Sequence, residues 1–291
     1  FLGQSSMNKP HRLVLFLFEN ALLLDISGPV QVFHGASQAD IDGNAYDIRY
    51  CSLPGGPVRT DVGILIETVP VRDILETGLD TLMVAGGPGV FSVYQDEAHN
   101  QAVRQLGAQA KRSVSICTGA FLLAAAGLLD GRKATTHWRR CARLAQEFPA
   151  IDVQTDPIYV RDEPVWTSAG VTAGIDLSLA LVEADLGREI SLSIARELVV
   201  FLKRPGGQQQ FSAALQAQTR DGPGEFDHLH GWITDNLQKS VSVSDLACEA
   251  GMSLRSFTRR YKHVTGESPG DMLARLRLEA ATRMLTETSL P

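Results

Sequence analysis

Ser115-Ile-Cys117-Thr118-Gly119 closes a short apolar run and opens an Ala/Leu-rich one. A cysteine at a strand-to-helix turn takes the place serine holds in a nucleophile elbow, where the sharp turn offers the side chain at a sheet edge. The helix start should favour the thiolate and lower its pKa. Gly86-Gly87 ends a neighbouring run and could aim backbone N–H groups at an oxyanion. His137, in Thr135-Thr-His-Trp138, follows another expected strand, Lys133 to Thr136, and could lie near Cys117. Asp25, in Leu24-Asp-Ile-Ser-Gly-Pro29, offers a carboxylate that would suit a cationic amine or simply cap a helix.

A second group of side chains is cationic. From Arg255 to Arg283 there are seven basic residues (Arg255, Arg259, Arg260, Lys262, Arg275, Arg277, Arg283) and three acids (Glu267, Asp271, Glu279), a local charge of +4. The whole chain carries −6, so the remainder carries −10. This asymmetry is the footprint of a local nucleic-acid contact on an acidic protein, although a solvated helix face would give it too. At about 100° per residue, Leu254, Phe257, Tyr261 and Val264 form one apolar stripe. Arg255, Arg259, Lys262 and His263 point the other way, with Thr258 at the edge. Such a helix packs by its oily side and offers its cations to a major groove. Arginine there pairs bidentately with guanine, whereas Arg260 and Lys262 suit phosphates.

The elements that must carry these groups follow from pattern. Arg12 to Phe18, Asp80 to Ala85 and Ser113 to Ile116 read as buried strands. Asp96 to Arg112 and Gly119 to Leu129 read as helices between or after them. Strands alternating with helices predict a parallel sheet covered on both faces, with ligands at the carboxyl ends of its strands. Tyr159 to Ser168 reads as a hairpin. Two helices follow, Thr172 to Leu186 closed by Gly187, and Ile190 to Lys203 closed by Arg204-Pro205-Gly206-Gly207. Further on, Ser242-Val-Ser-Asp245 is a capping box with Asp in place of Glu. Its helix ends at Gly251, Ser253 caps a second helix to about Val264, and Ser268-Pro-Gly-Asp271 starts a third that continues to Leu285. Two short helices joined by a tight Gly-containing turn form a helix-turn-helix.

The 291 residues fit two domains, and 44% hydrophobic with 21% charged residues fits a globular chain. We expect a sensing domain over residues 7–205, a linker over 206–224 and a DNA-binding segment over 225–291. Residues 1–6 read as a remnant ahead of a native start at Met7. No run of about 18 apolar residues predicts a membrane helix, and no signal peptide is recognisable. Cys51, Cys117, Cys141 and Cys248 form no CxxC pair and no zinc spacing, so we expect a reduced, cytoplasmic setting without metal or other cofactor.

The segment from Ser242 to Leu285 resembles the AraC/XylS family of bacterial regulators. The matching residues are Leu246-Ala247, Ala250-Gly251-Met252-Ser253, Arg255-Ser-Phe-Thr-Arg-Arg-Tyr261, Thr265-Gly266-Glu-Ser-Pro269 and Arg277-Leu-Glu-Ala-Ala281. The resemblance implies base reading by Arg255, Thr258 and Arg259. It also implies two helix-turn-helix units, of which only the first fits before Pro291, so the chain reads as truncated. Arg12 to Pro205 resembles the PfpI/ThiJ class of glutamine-amidotransferase-like domains. The elbow, the Gly pair, Thr135-Thr-His-Trp138 and Ser168-Ala-Gly-Val-Thr-Ala-Gly-Ile-Asp176 carry it. It implies a flavodoxin-like α/β fold with Cys117, Thr118, His137, Asp25, Gly86 and Gly87 around one site. In some relatives Cys, Thr and an acid serve isonitrile hydration; in others Cys, His and Glu serve deglycase or peptidase-like chemistry.

The combination resembles regulators, often activators, of amine or amino-acid metabolism genes. The reading is a ligand-responsive homodimeric regulator that binds duplex DNA and a small effector, with an amine or amino acid as the class expected, and is not an enzyme. Two alternatives stay open: an enzyme acting through Cys117 with a DNA-binding tail, and a sensor signalling by Cys117 oxidation.

Overall fold

A computed structural model describes residues 9–40, 43–202, 226, 229, 232–233, 241–274 and 276–277. The chain divides into two compact units, Phe1–Arg204 and Pro205–Pro291, and each is described by itself. The expected linker over 206–224, residues 1–6 with Met7, and Arg275, Glu279, Arg283 and Leu285 lie outside the described residues.

The first unit runs β1 (His11–Phe16), α1 (Leu23–Ala39), β2 (Tyr46–Ser52), β3 (Gly56–Arg59), β4 (Leu65–Pro70), α2 (Val71–Thr77), β5 (Thr81–Val84) and α3 (Val90–Val93). It continues with α4 (Glu97–Gln109), β6 (Arg112–Ser115), a 3-10 turn (Cys117–Gly119), α5 (Ala120–Ala125), β7 (Lys133–Ala134), α6 (Cys141–Glu147) and β8 (Asp152–Val153). β9 (Tyr159–Asp162), β10 (Val165–Ser168), α7 (Ala173–Leu186) and α8 (Arg188–Glu197) complete it. Eight strands form one sheet in the order β3-β4-β2-β1-β5-β6-β10-β9. All neighbours are parallel except the two outer pairs, β3 with β4 and β9 with β10. The sheet is therefore mixed at its edges and parallel where the site lies.

Burial explains which strands were readable. β5 and β10 are buried along their whole length, and β1 is buried from Leu13 onward. A parallel sheet covered on both faces gives such continuous apolar runs. β2, β3 and β4 mix exposed and buried positions, and no apolar run marks them in the sequence.

The register aligns the carboxyl ends. Phe16 lies opposite Val84, Val84 opposite Ser115, and Ser115 opposite Thr167. The loops after β1, β5, β6 and β10 thus leave the sheet side by side. At the other end a polar clamp ties α7 to the sheet. Arg112 Nη1 donates to Asp185 Oδ1 at 2.7 Å, Tyr46 OH to Asp185 Oδ2 at 2.7 Å, and Arg112 Nε to Thr81 Oγ1 at 2.7 Å.

Three helices and one strand differ from expectation. The elbow helix is brief: a 3-10 turn and then six residues to Ala125. α4 begins after Asp96, whose carboxylate accepts the Ala98 N–H as an N-cap, and ends at Gln109. α8 stops at Glu197, short of Lys203. The N–H of Val200 reaches the carbonyl of Ala195 and that of Val199 reaches Arg196, with Val199 left-handed at φ 55°. This is a Schellman ending, built without the glycine that would have announced it. The strand at Lys133 is two residues long and pairs only with β8, outside the main sheet.

The second unit holds α9 (Val243–Glu249) and α10 (Leu254–Thr265), with residues 269–274 helical beyond them. The capping box is present. Ser242 Oγ accepts the Asp245 N–H at 3.2 Å, and Asp245 Oδ2 accepts the Ser242 N–H at 2.8 Å. Ser253 and Ser268 cap the next two helices by accepting from Ser256 N–H and Asp271 N–H. Gly266 closes α10 in the left-handed region. Phe226, Leu246, Phe257, Tyr261, Met272 and Leu273 form a core separate from that of the first unit.

Candidate functional site

The elbow is strained. Cys117 has φ 54°, a left-handed value that costs a non-glycine residue about 1–3 kcal/mol unless its surroundings impose it. Here they do: the Cys117 N–H donates to the Ala169 carbonyl at 3.2 Å, and Thr136 Oγ1 donates to the Cys117 carbonyl at 2.7 Å. Across from it, Val171 is also left-handed, at φ 52°. Cys117 itself is only 5% exposed.

Asp25 arrives from the first turn of α1 and is fully buried. Its Oδ2 accepts the Gly86 N–H at 3.1 Å, so it ties α1 to the loop after β5 and does not cap its own helix. Its Oδ1 is buried with no hydrogen-bond partner among the described residues. Gly86 sits where Asp25, Cys117 and Thr118 converge. A Cβ added there would lie 2.6 Å from Asp25 Oδ2, 2.7 Å from the Thr118 nitrogen and 2.9 Å from Cys117 Cβ. Only glycine admits that approach.

The expected oxyanion donors are already engaged. Gly86 N–H serves Asp25, and Gly87 N–H donates to Thr118 Oγ1 at 2.9 Å. The two glycines therefore pack the elbow together and hold no free N–H pair for a ligand. The expected thiolate is also corrected. Burial pushes the Cys117 thiol up to about 12, and the neighbouring Asp25 charge adds to it. The N–H groups of Val171 and Thr118 and the Thr118 hydroxyl pull the other way and lose. Burial likewise raises Asp25 to about 7, against the Gly86 hydrogen bond. Desolvation opposes both charged forms, so near neutral pH the thiol keeps its proton.

His137 stands apart from this cluster. Its Nδ1 accepts the Arg139 N–H at 3.2 Å, and no hydrogen bond to Cys117 is among those of the described residues. The ring lies against Gly170, where a Cβ would come within 2.2 Å of its Cδ2. Burial and then the charges of Arg139 and Arg140 hold its pKa below the usual histidine value. The ring stacks on Trp138 with centroids 5.8 Å apart, and Arg139 covers the Trp138 ring. The structure thus gathers Asp25, Gly86, Gly87, Cys117 and Thr118, and sets His137 behind the Gly170–Val171 turn. Thr136 and Val171 were not singled out from sequence. A threonine hydroxyl aimed at a carbonyl and a left-handed valine leave no compositional trace.

In the second unit, Phe257 and Tyr261 are fully buried, with Val264 partly so. Phe226 meets Tyr261 at 5.1 Å between centroids. Leu254 leaves the expected stripe: as first residue of the helix it overhangs the core and is 50% exposed. Arg255, Arg259, Arg260 and Lys262 are exposed. Among the described residues, Arg255, Arg259 and Lys262 have no ion pair or side-chain hydrogen bond. Thr258 is half-buried, and its hydroxyl donates to the Leu254 carbonyl at 2.8 Å. Arg277 is used structurally, donating to the Val241 carbonyl.

Among the described residues no helix is long and apolar enough to cross a membrane. No group of three or more His, Cys, Asp or Glu is placed there to hold a metal ion.

The sequence model of the DJ-1/PfpI family matches residues 11–184. That of bacterial regulatory helix-turn-helix proteins, AraC family, matches residues 233–273. The chain is 26% identical over 281 residues to the HTH-type transcriptional regulator GbdR of Pseudomonas aeruginosa, spanning 97% of this chain and 75% of that protein. It is 33% identical over 182 residues to the isonitrile hydratase of Pseudomonas putida, spanning 62% of this chain and 75% of that enzyme. Among solved structures, a ThiJ/PfpI family protein from Pseudomonas syringae superposes with TM-score 0.59 and 27% identity, over 67% of this chain and 77% of that one.

Proposed function

The chain belongs to the DJ-1/PfpI family and continues into a helix-turn-helix segment of the AraC family, and on that premise we propose that it is a ligand-responsive, sequence-specific regulator of transcription. It acts in the cytoplasm as a homodimer, activates genes of amine or amino-acid metabolism, and takes its effector at the elbow of Asp25, Cys117 and Thr118, which Gly86 and Gly87 pack together, with His137 on the far side of Gly170. The sensing domain spans residues 7–205, a linker 206–224 and the DNA-binding segment 225–291. The observation that carries the reading is α10: its aromatic side is sealed in a core while Arg255, Arg259 and Lys262 stand exposed. Effector binding shifts an equilibrium between two arrangements only if it favours one of them.

The test uses the full chain and duplexes that it selects from a random pool, read by fluorescence anisotropy. Arg255→Ala and Arg259→Ala each relax preference at one base pair by about tenfold or more, the worth of a lost bidentate contact. Lys262→Ala weakens binding to all duplexes alike and lowers the salt slope by about one. Unchanged specificity in both arginine variants overturns the groove assignment. For the effector, a thermal-shift panel of amines, amino acids and betaines is read on the full chain. Ligand at a hundred times its dissociation constant adds about 2.7 kcal/mol.

A second reading is a cysteine-dependent enzyme, which the strained elbow favours. Turnover of glyoxal or an isonitrile that disappears in Cys117→Ala would establish it. An effector response that survives this substitution excludes both a covalent mechanism and signalling by thiol oxidation.

A further inference from the structure

Leu254 is an oily side chain in a place the fold does not use. It is 50% exposed, while Phe257 and Tyr261, one and two turns on, are fully buried. Its position is fixed. Ser253 caps the helix one residue earlier, its Oγ accepting the Ser256 N–H at 3.3 Å, and the Leu254 carbonyl accepts the Thr258 hydroxyl at 2.8 Å. Thr258 lies four residues on, so the two share one side of the helix. Arg255 follows directly, and Arg259 stands one turn beyond it, both exposed.

The first turn of a recognition helix is the part that meets base edges. In the major groove the four base pairs differ in their donors and acceptors and in one apolar feature, the 5-methyl group of thymine. Leucine has nothing to offer a donor or acceptor. Pressed against the amino group of cytosine it would strip that group of water without replacing the hydrogen bond. Against a methyl group it gains contact and loses nothing. We propose that Leu254 is a specificity-determining residue that reads a thymine methyl beside the base pairs read by Arg255 and Arg259. This rests on the groove reading of α10.

The experiment replaces each thymine of a duplex selected by the full chain with uracil, one at a time, removing only the methyl group. Burying one such group is worth roughly a three- to fivefold change in affinity. The wild-type chain loses that factor at one or two positions. Leu254→Ala binds the parent duplex more weakly by the same factor and is indifferent to uracil at that position. Leu254→Met, which keeps an apolar tip, retains the sensitivity. Thr258→Ser removes the other methyl on this side and leaves the sensitivity in place. A selective duplex with no methyl-sensitive position overturns the proposal, as does sensitivity that vanishes in Thr258→Ser and persists in Leu254→Ala. A pool that yields no preferred sequence overturns the groove reading itself and this inference with it.

Discussion

At the scale of single residues the elbow is governed by desolvation. Asp25 titrates near 7 in the folded chain against an ordinary 3.8. A raised folded pKa stabilises fully below the unfolded value, and that contribution is lost as pH rises through the folded one. The unfolding free energy of the wild type relative to Asp25→Asn should therefore fall between pH 4 and 7 and level off above, by up to about 4 kcal/mol at roughly 1.4 kcal/mol per unit. Urea titrations across that range check it; a flat difference would mean the carboxyl is not buried as a charge. The same substitution removes a negative neighbour from Cys117. Its thiol should then alkylate faster with iodoacetamide at pH 8 than in the wild type, as followed by mass spectrometry. Gly86→Ala should cost about 1–3 kcal/mol, because the added methyl meets a carboxylate, a backbone nitrogen and a Cβ together. Much of this cluster was legible: Cys117 and the Gly pair could be picked out by type and spacing, and Asp25 beside the cysteine through the resemblance to the PfpI/ThiJ class. The state of the thiol was not. A helix start argues for a thiolate, and only depth of burial reverses that.

At the scale of elements the caps carry the lesson. Ser242→Ala removes the hydroxyl half of the capping box, leaving the backbone N–H of residue 242 on Asp245, and should lower the stability of the second unit by about 1 kcal/mol, visible as an earlier loss of helical signal on heating. Loss of nothing measurable would show that tertiary packing alone holds α9. Serine, aspartate and Gly266 mark their helix ends in sequence because each supplies a hydrogen bond or a backbone shape that few residues can. The end of α8 was hidden for the converse reason. Val199 takes the left-handed position that glycine usually fills, so a valine pair reads as continuing helix. Leu254 shows a further limit. Angular position placed it on the inner side of α10, but angle does not say how far along the helix the core extends.

At the scale of the whole molecule, two separate cores divide the chain. Calorimetry should resolve two transitions, and an effector of the first unit should raise one of them alone; a single transition would mean that the units unfold together. The middle of the sheet was readable because β1 and β5 carry buried apolar runs. Strands β2, β3 and β4 were not, since they mix exposed and buried residues and look like loop. What the topology adds is adjacency: four consecutive carboxyl ends bring together residues as distant in sequence as Asp25 and Val171.

On the proposed reading of the elbow as an effector site, the depth of Cys117 bears on how fast an effector could reach it. Cys117 is 5% exposed and Asp25 wholly enclosed, so little of either faces bulk water. A ligand at the proposed elbow site would enter only after the side chains around it give way. Capture rates should climb with concentration and then reach a plateau at the frequency of that yielding, a hyperbola in stopped-flow traces where an open cleft would give a straight line.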